Sequence, residues 1–305
     1  VHQTAMILYG LYVGLTIICF VFLIAGEMPV FDAVCTAFGT AGTGGFGIKN
    51  DSMVSYSPYI QNVCTVFMLI FGVNFNLFYL FILGNFKAVF KDEELRLYLG
   101  IFAAATLLIA WDITNMMGSA KEALHHAAFT VSTIMTTTGF ATADFDMWPG
   151  FSKSIILVLM LLGAMAGSTG GGIKVSRIVL LLKTVKKELN SYMHPKSIRK
   201  IKMDGKPVEH EVMRAVNVYF IAFMLLFAFS MIVVSFDGKG LVTTFTGVLA
   251  CLNNIGPGME MAGPTENFGS FSILSKYVLM FDMLAGRLEL FPLLLLFHPP
   301  VWKPL

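Results

Sequence analysis

Apolar residues fill long runs of the chain, and the lengths of those runs set the architecture. A helix needs about 20 apolar residues to cross a bilayer. Six segments reach that length, at roughly 4–26, 60–84, 95–117, 152–189, 212–236 and 271–297. The links between them alternate in character. Links 85–96 and 183–214 are charged, whereas 27–59, 118–151 and 237–270 are semi-apolar. Each semi-apolar link begins with a helix-compatible run too short to span: FDAVCTAFGT (31–40), KEALHHAAFTVST (121–133) and KGLVTTFTGVLA (239–250). In the second, Ser119 stands three residues before Glu122, the spacing of a capping box. Each run ends in small or polar residues around a glycine: TGGFG (43–47), TTTGFAT (136–142) and NNIGPG (253–258). The pattern predicts one repeated unit, helix–short helix–glycine loop–helix, aligned at Gly45, Gly139 and Gly256. Phe46 and Phe140 follow the first two glycines, and Pro257 takes that place in the third.

Composition agrees with a membrane. Of 305 residues, 56% are hydrophobic and 13% charged, against about 25% charged in soluble domains. The expected class is therefore an all-α, multi-pass integral membrane protein. A net charge of +2 gives no reason to expect nucleic-acid binding. Cys19, Cys35, Cys64 and Cys251 are scattered in apolar sequence and read as small hydrophobes. Link 183–214 carries nine of the 21 basic residues. The positive-inside rule puts that link and both termini in the cytoplasm, so the three glycine links face outward. Trp111 and Trp148 are expected as interface anchors. His125 and His126 read as interfacial packing, with a metal site the lesser alternative.

Non-helical backbone is tolerated at membrane depth only where it lines water or is buried in protein. A half-crossing helix that returns as an extended loop presents carbonyls that can replace an ion's hydration shell. Glycine suits such a turn because it reaches positive φ without a Cβ clash. The short helices end at the loops, so their partially negative C-termini face the ion. The candidate ion-coordinating residues are Thr43, Gly44, Gly45 and Phe46; Thr137, Thr138, Gly139 and Phe140; and Asn254, Ile255 and Gly256. No carboxylate lies within the three loops, which favours monovalent cations. The competing reading is plain re-entrant turns without ions.

The fourth long segment cannot be one helix. Its 38 residues would run about 57 Å against a hydrocarbon core of about 30 Å. Five glycines between Gly163 and Gly172 mark the break. Gly167, Ser168, Thr169, Gly170, Gly171 and Gly172, with Lys174, are the candidate gate. The run GSTGGGIK also resembles a phosphate-binding loop, but Ile173 separates Gly172 from Lys174 and no strand precedes it. A plainer reading ends the helix in a cytoplasmic linker, and the apolar run 178–182 argues against that. In the last segment, Arg287 lies near the expected depth of the glycine loop and could set a barrier to K+. Local pairing with Glu289 or Asp282 is the alternative. Gly72, Asn74 and Asn76 are expected in helix–helix hydrogen bonding.

The motifs TGGF, TTTGF, NNIGPG, AGSTGGGIK and MLAGRLE, in this order, resemble the Trk/Ktr/HKT superfamily of K+ transporters. The linker 186–208 is most similar to its bacterial TrkH branch. The resemblance implies four M1–pore helix–M2 repeats around a pseudo-fourfold pore. Three are expected here: 1–88, 89–190 with a broken M2, and 211–305, with 191–210 as cytoplasmic linker. The missing first repeat is expected to precede Val1. Gly45, Gly139 and Gly256 match the filter glycines, Gly167–Lys174 the gating loop, and Arg287 the arginine facing it. The implied function is K+ uptake at a bacterial inner membrane, with K+ as cargo, no covalently bound cofactor and no enzymatic activity. A Na+/K+-permeable transporter of the same fold is the alternative, and a membrane enzyme with a phosphate-binding loop the more distant one. The resemblance further implies a homodimer and a cytoplasmic ring of TrkA-like nucleotide-binding regulators. Link 183–214 is a candidate contact for the ring or for lipid headgroups.

Overall fold

A computed structural model describes residues 2–194 and 200–288, together with 292 and 295. Its helices run in the order α1 (His2–Ala25), α2 (Val30–Ala41), α3 (Pro58–Phe71), α4 (Phe75–Ile82), α5 (Phe86–Lys91), α6 (Glu93–Met117), α7 (Ala120–Met135), α8 (Gly150–Leu161), α9 (Val175–Met193), α10 (His210–Ser235), α11 (Leu241–Leu252) and α12 (Ile273–Arg287). A small antiparallel hairpin, β1 (Lys202–Met203) and β2 (Lys206–Pro207), lies in the basic linker. The predicted unit recurs three times, as α1–α2–α3, α6–α7–α8 and α10–α11–α12. In each, a long helix packs on a short one that runs into a glycine turn.

The helix limits have local causes. Asp92 accepts from Leu95 N at 2.7 Å and starts α6. Gly118 ends it in the left-handed region at φ 72°. Ala105, Ile109 and Ile113 of α6 share one core with Ala123, Ala127 and Val131 of α7. The small residues let the two helices approach closely, as helices in lipid require. Residues Phe129 to Met135 of α7 are all buried, so this short helix is enclosed by protein on every side at its far end.

Several expectations need correction. Among the described residues, α1, α6 and α10 alone are continuous helices long and apolar enough to span. Segment 60–84 is not one helix. It bends by 91° between α3 and α4, because Gly72 ends α3 and Asn74 caps α4 by accepting from Asn76 N at 2.9 Å. Segment 152–189 breaks as expected, between Leu161 and Val175. The helix of the sixth segment is described over Ile273–Arg287. The capping box fails: Ser119 makes no side-chain cap bond to α7. Trp111 is 74% exposed, in keeping with an anchor, but Trp148 is buried in the α6–α7–α8 core. Cys19, Cys64 and Cys251 are buried free thiols and Cys35 is half-buried.

Candidate selectivity turns and the glycine loop beneath them

The three short helices end in the same way. Each reaches a right-handed C-cap, at Gly42, Thr136 and Asn253. The next residue is left-handed: Thr43 at φ 48°, Thr137 at 58° and Asn254 at 58°. The backbone N–H after that bonds back to the last turn, Gly44 to Gly39 O at 2.7 Å, Thr138 to Thr133 O at 2.9 Å and Ile255 to Ala250 O at 2.8 Å. Thr43, Thr137 and Asn254 donate to Thr40, Ile134 and Cys251. This paired bonding is the Schellman helix stop. A second left-handed residue follows two positions on, Gly45 at 63°, Gly139 at 92° and Gly256 at 105°. The alternation turns successive peptide planes out of the helical ladder and frees their carbonyls.

The turns lie against one another. A Cβ on Gly45 would overlap the Thr138 carbonyl, and one on Gly139 would overlap the Ile255 carbonyl. Each glycine therefore leaves room for a carbonyl of the next turn. A Cβ on Gly256 would meet only Gly139 Cα, at 4.0 Å. Between the third turn and the first lies a cavity of about 910 Å³, with Gly42–Gly47 on one wall and Asn254–Pro257 on another.

The glycine-rich segment between α8 and α9 passes under all three turns. The Thr43 hydroxyl donates to Thr169 O at 2.9 Å. Gly171 N donates to the Thr137 hydroxyl at 2.6 Å. A Cβ on Gly171 would come within 2.7 Å of Asn253 O, and one on Gly170 within 3.0 Å of Thr136 O. Substituted glycines would thus drive into the turns above. Arg287 ties loop to turn from the side: it donates to Thr169 O at 2.9 Å, to Gly42 O at 2.9 Å and to the Thr43 hydroxyl at 3.4 Å. Lys174 donates to Gly170 O. Phe75 N donates to Gly167 O at 3.1 Å, and Met165 N to Gly72 O at 3.0 Å. The bend in the α3–α4 span is where the loop is received.

A profile of the TrkH family, described as cation transport proteins, matches residues 1–301. The chain belongs to the TrkH family. It is 36% identical, over 99% of its length, to the Trk system potassium uptake protein TrkH of Salmonella typhimurium. It is 38% identical over 99% of its length to the TrkH of Vibrio parahaemolyticus. The crystal structure of the potassium transporter TrkH from Vibrio parahaemolyticus superposes with a TM-score of 0.89 at 35% identity, covering 99% of this chain and 65% of that one. The chain spans about 63% of the length of the curated relatives it matches.

Within this TrkH-family chain, the structure brings the expected site residues together, with differences. Phe140 is buried, while Phe46 is 79% exposed beside the cavity. Arg287 does not pair with Asp282, which instead accepts from the Ser230 hydroxyl at 2.8 Å. Glu289 lies outside the described residues. Gly72 and Asn74 do not join two helices to each other: Gly72 packs under Tyr98 and Thr136, and Asn74 lies against Gly167. The His125 and His126 rings stack edge-to-face at 5.1 Å. His125 contacts Gln61 at 2.6 Å and Asn62 at 3.0 Å, and His126 contacts Thr142 at 3.0 Å. Among the described residues no three His, Cys, Asp or Glu cluster as metal ligands.

Three residues outside the candidate sets also hold the site: Asn253 and Thr136, which lie within the quoted loop motifs, and Glu94. Asn253 Nδ2 donates to Met160 O at 2.8 Å, joining the third turn to the end of α8. Thr136 shares a 2.8 Å hydrogen bond with the Thr138 hydroxyl. Glu94 reads in the sequence as part of a charged surface link, yet it is 4% exposed and accepts from two backbone N–H groups of the loop ends.

Proposed function

We propose that the chain forms three sectors of a K+-conducting pore, with the turns at Gly45, Gly139 and Gly256 as its filter and Gly167–Lys174 as its gate. The observation that carries this reading is the threefold recurrence of one backbone pattern, stop–left-handed residue–left-handed glycine, in turns that touch. Freed carbonyls at the negative ends of three helices suit a dehydrated monovalent cation. The cavity between the third and first turns is the place for a fourth sector. The units follow as 1–88, 89–190 and 211–305, joined through the linker 191–210.

The names of the relatives, Trk potassium uptake proteins, favour K+ as cargo over a Na+/K+-permeable variant. Transport, not catalysis, is the function. The polar groups of the glycine loop are taken up inside the protein, the Ser168 hydroxyl by Met165 O, the Thr169 hydroxyl by Phe71 O and Gly171 N by the Thr137 hydroxyl, which leaves little of a phosphate cradle. The protein sits in the bacterial inner membrane as a homodimer. A ring of TrkA-like nucleotide-binding regulators meets the basic linker, which also faces lipid headgroups. The test is ion flux into liposomes carrying the full-length protein and a variant lacking 168–172. Removal of the loop raises K+ flux. Unaltered or lower flux from a folded variant counts against the gate.

A further inference from the structure

We propose that Glu94 is the positioning residue that holds the glycine loop across the conduction path. The proposal rests on the gate reading above and deepens it. One carboxylate oxygen, Oε1, accepts from Ala166 N at 2.8 Å and from Ser176 N at 2.8 Å. Ala166 precedes the loop and Ser176 lies in the first turn of α9, so a single atom pins both ends. Between them the loop bonds to the first and second turns, to the end of α3 and to Arg287, and Lys174 closes back on Gly170 O. Charge-assisted hydrogen bonds are stronger than neutral ones. The negative charge also sits at the N-terminus of α9, where the helix dipole favours it.

Glu94 is itself held. It sits in the first turn of α6, which Asp92 caps. Its neighbour Glu93 pairs with Lys183 of α9, and Glu93 N donates to the Asp204 carboxylate at 2.9 Å. Lys183 also donates to Lys202 O at 2.6 Å. The start of α6, the helix after the loop and the linker hairpin therefore form one clamp around the anchor. The loop's contacts with the turns are of another kind, single hydroxyl or carbonyl bonds. The ends are also paired directly, Gly163 N to Ile173 O at 2.7 Å and Val175 N to Ala164 O at 3.2 Å, so releasing Glu94 loosens the seat of the loop while leaving the turns intact.

The experiment compares K+ flux and the K+/Na+ permeability ratio of the full-length protein in liposomes. Glu94→Ala removes the acceptor. Ser176→Pro removes one donor at a first-turn position that tolerates proline, so it serves if the alanine variant fails to fold. Both raise flux about tenfold and leave the permeability ratio within about twofold of the parent. Glu94→Gln keeps the acceptor oxygen and raises flux less than Glu94→Ala. Parental flux from folded Glu94→Ala or Ser176→Pro, while deletion of 168–172 raises flux, overturns the role of Glu94 and leaves the gate standing. Parental flux from all of them, the deletion included, means the loop is no gate. A glutamine variant leakier than the alanine variant, or a changed permeability ratio without added flux, also overturns the proposal.

Discussion

Thr137 holds a left-handed backbone and accepts a hydrogen bond from Gly171 N on its hydroxyl at 2.6 Å. For a β-branched residue that conformation is unfavourable, by about 1–2 kcal/mol. Glycine would relieve it, as it does at many helix stops. The hydroxyl explains the threonine: it joins the second turn to the loop, as Thr43 joins the first through Thr169 O. Thr137→Gly is therefore expected to raise K+ flux several-fold with little loss of thermal stability, because strain relief offsets a lost hydrogen bond of about 1 kcal/mol. Thr137→Ser, which keeps the hydroxyl, stays near the parent. Liposome flux and a melting curve in detergent read the two effects separately.

Gly139 tests the packing of turn on turn. Its Cβ would overlap Ile255 O, and at φ 92° a side chain is strained regardless of space. Gly139→Ser is expected to push the second and third turns apart and lower the K+/Na+ permeability ratio about tenfold. Bi-ionic potentials on the full-length protein measure it. An unchanged ratio counts against the filter assignment.

Arg287 spans two carbonyls on different segments, Thr169 O and Gly42 O. Hydrogen bonds from a charged donor contribute about 1.5–3 kcal/mol each. Arg287→Gln is expected to loosen the loop and raise flux at least several-fold. Arg287→Lys restores little, since a single ammonium lacks the fork that reaches both oxygens. Flux assays on both variants decide whether the fork or the charge matters.

The histidine pair gives a pH signature. At 16 residues α7 is too short to cross the bilayer, and its His125 and His126 are half-buried. Burial holds both below the ordinary 6.5, and the neighbouring His126 charge lowers His125 further. Below pH 6.5 the unfolded chain takes up protons that the folded one refuses. Stability is thus level above that pH and falls as pH drops through 6.5 toward the lowered folded values. The melting temperature is expected to be lower at pH 5.5 than at pH 7.5, and His125→Gln to shrink that difference.

How much of this was legible follows from what each residue reveals locally. Runs of apolar residues gave the order of the long segments and of the three short helices between them, because length against bilayer thickness is a one-dimensional constraint; they did not show which long segments are continuous helices. The glycine turns were legible for a related reason: Gly45, Gly139 and Gly256 recur at equivalent places. The bend at Gly72–Asn74 was not, since GVNFN sits inside an apolar run whose mean character is that of one span. The loop that the bend receives, at Met165 and Gly167, lies about 90 residues further along the chain. Trp148 looked like an anchor because tryptophan is common at interfaces, while its burial depends on α6 and α8. Glu94 was hidden among charged neighbours, and only the chain's return at Ala166 and Ser176 explains a buried carboxylate there.

Anomalous diffraction from crystals of the full-length protein soaked in Tl+ tests the central claim most directly. The account predicts a Tl+ peak on the axis between the turns, within coordination distance of backbone carbonyls from the segments Gly44–Gly45, Thr138–Gly139 and Ile255–Gly256. Peaks confined to other parts of the protein, with those carbonyls ringing no ion, would contradict it.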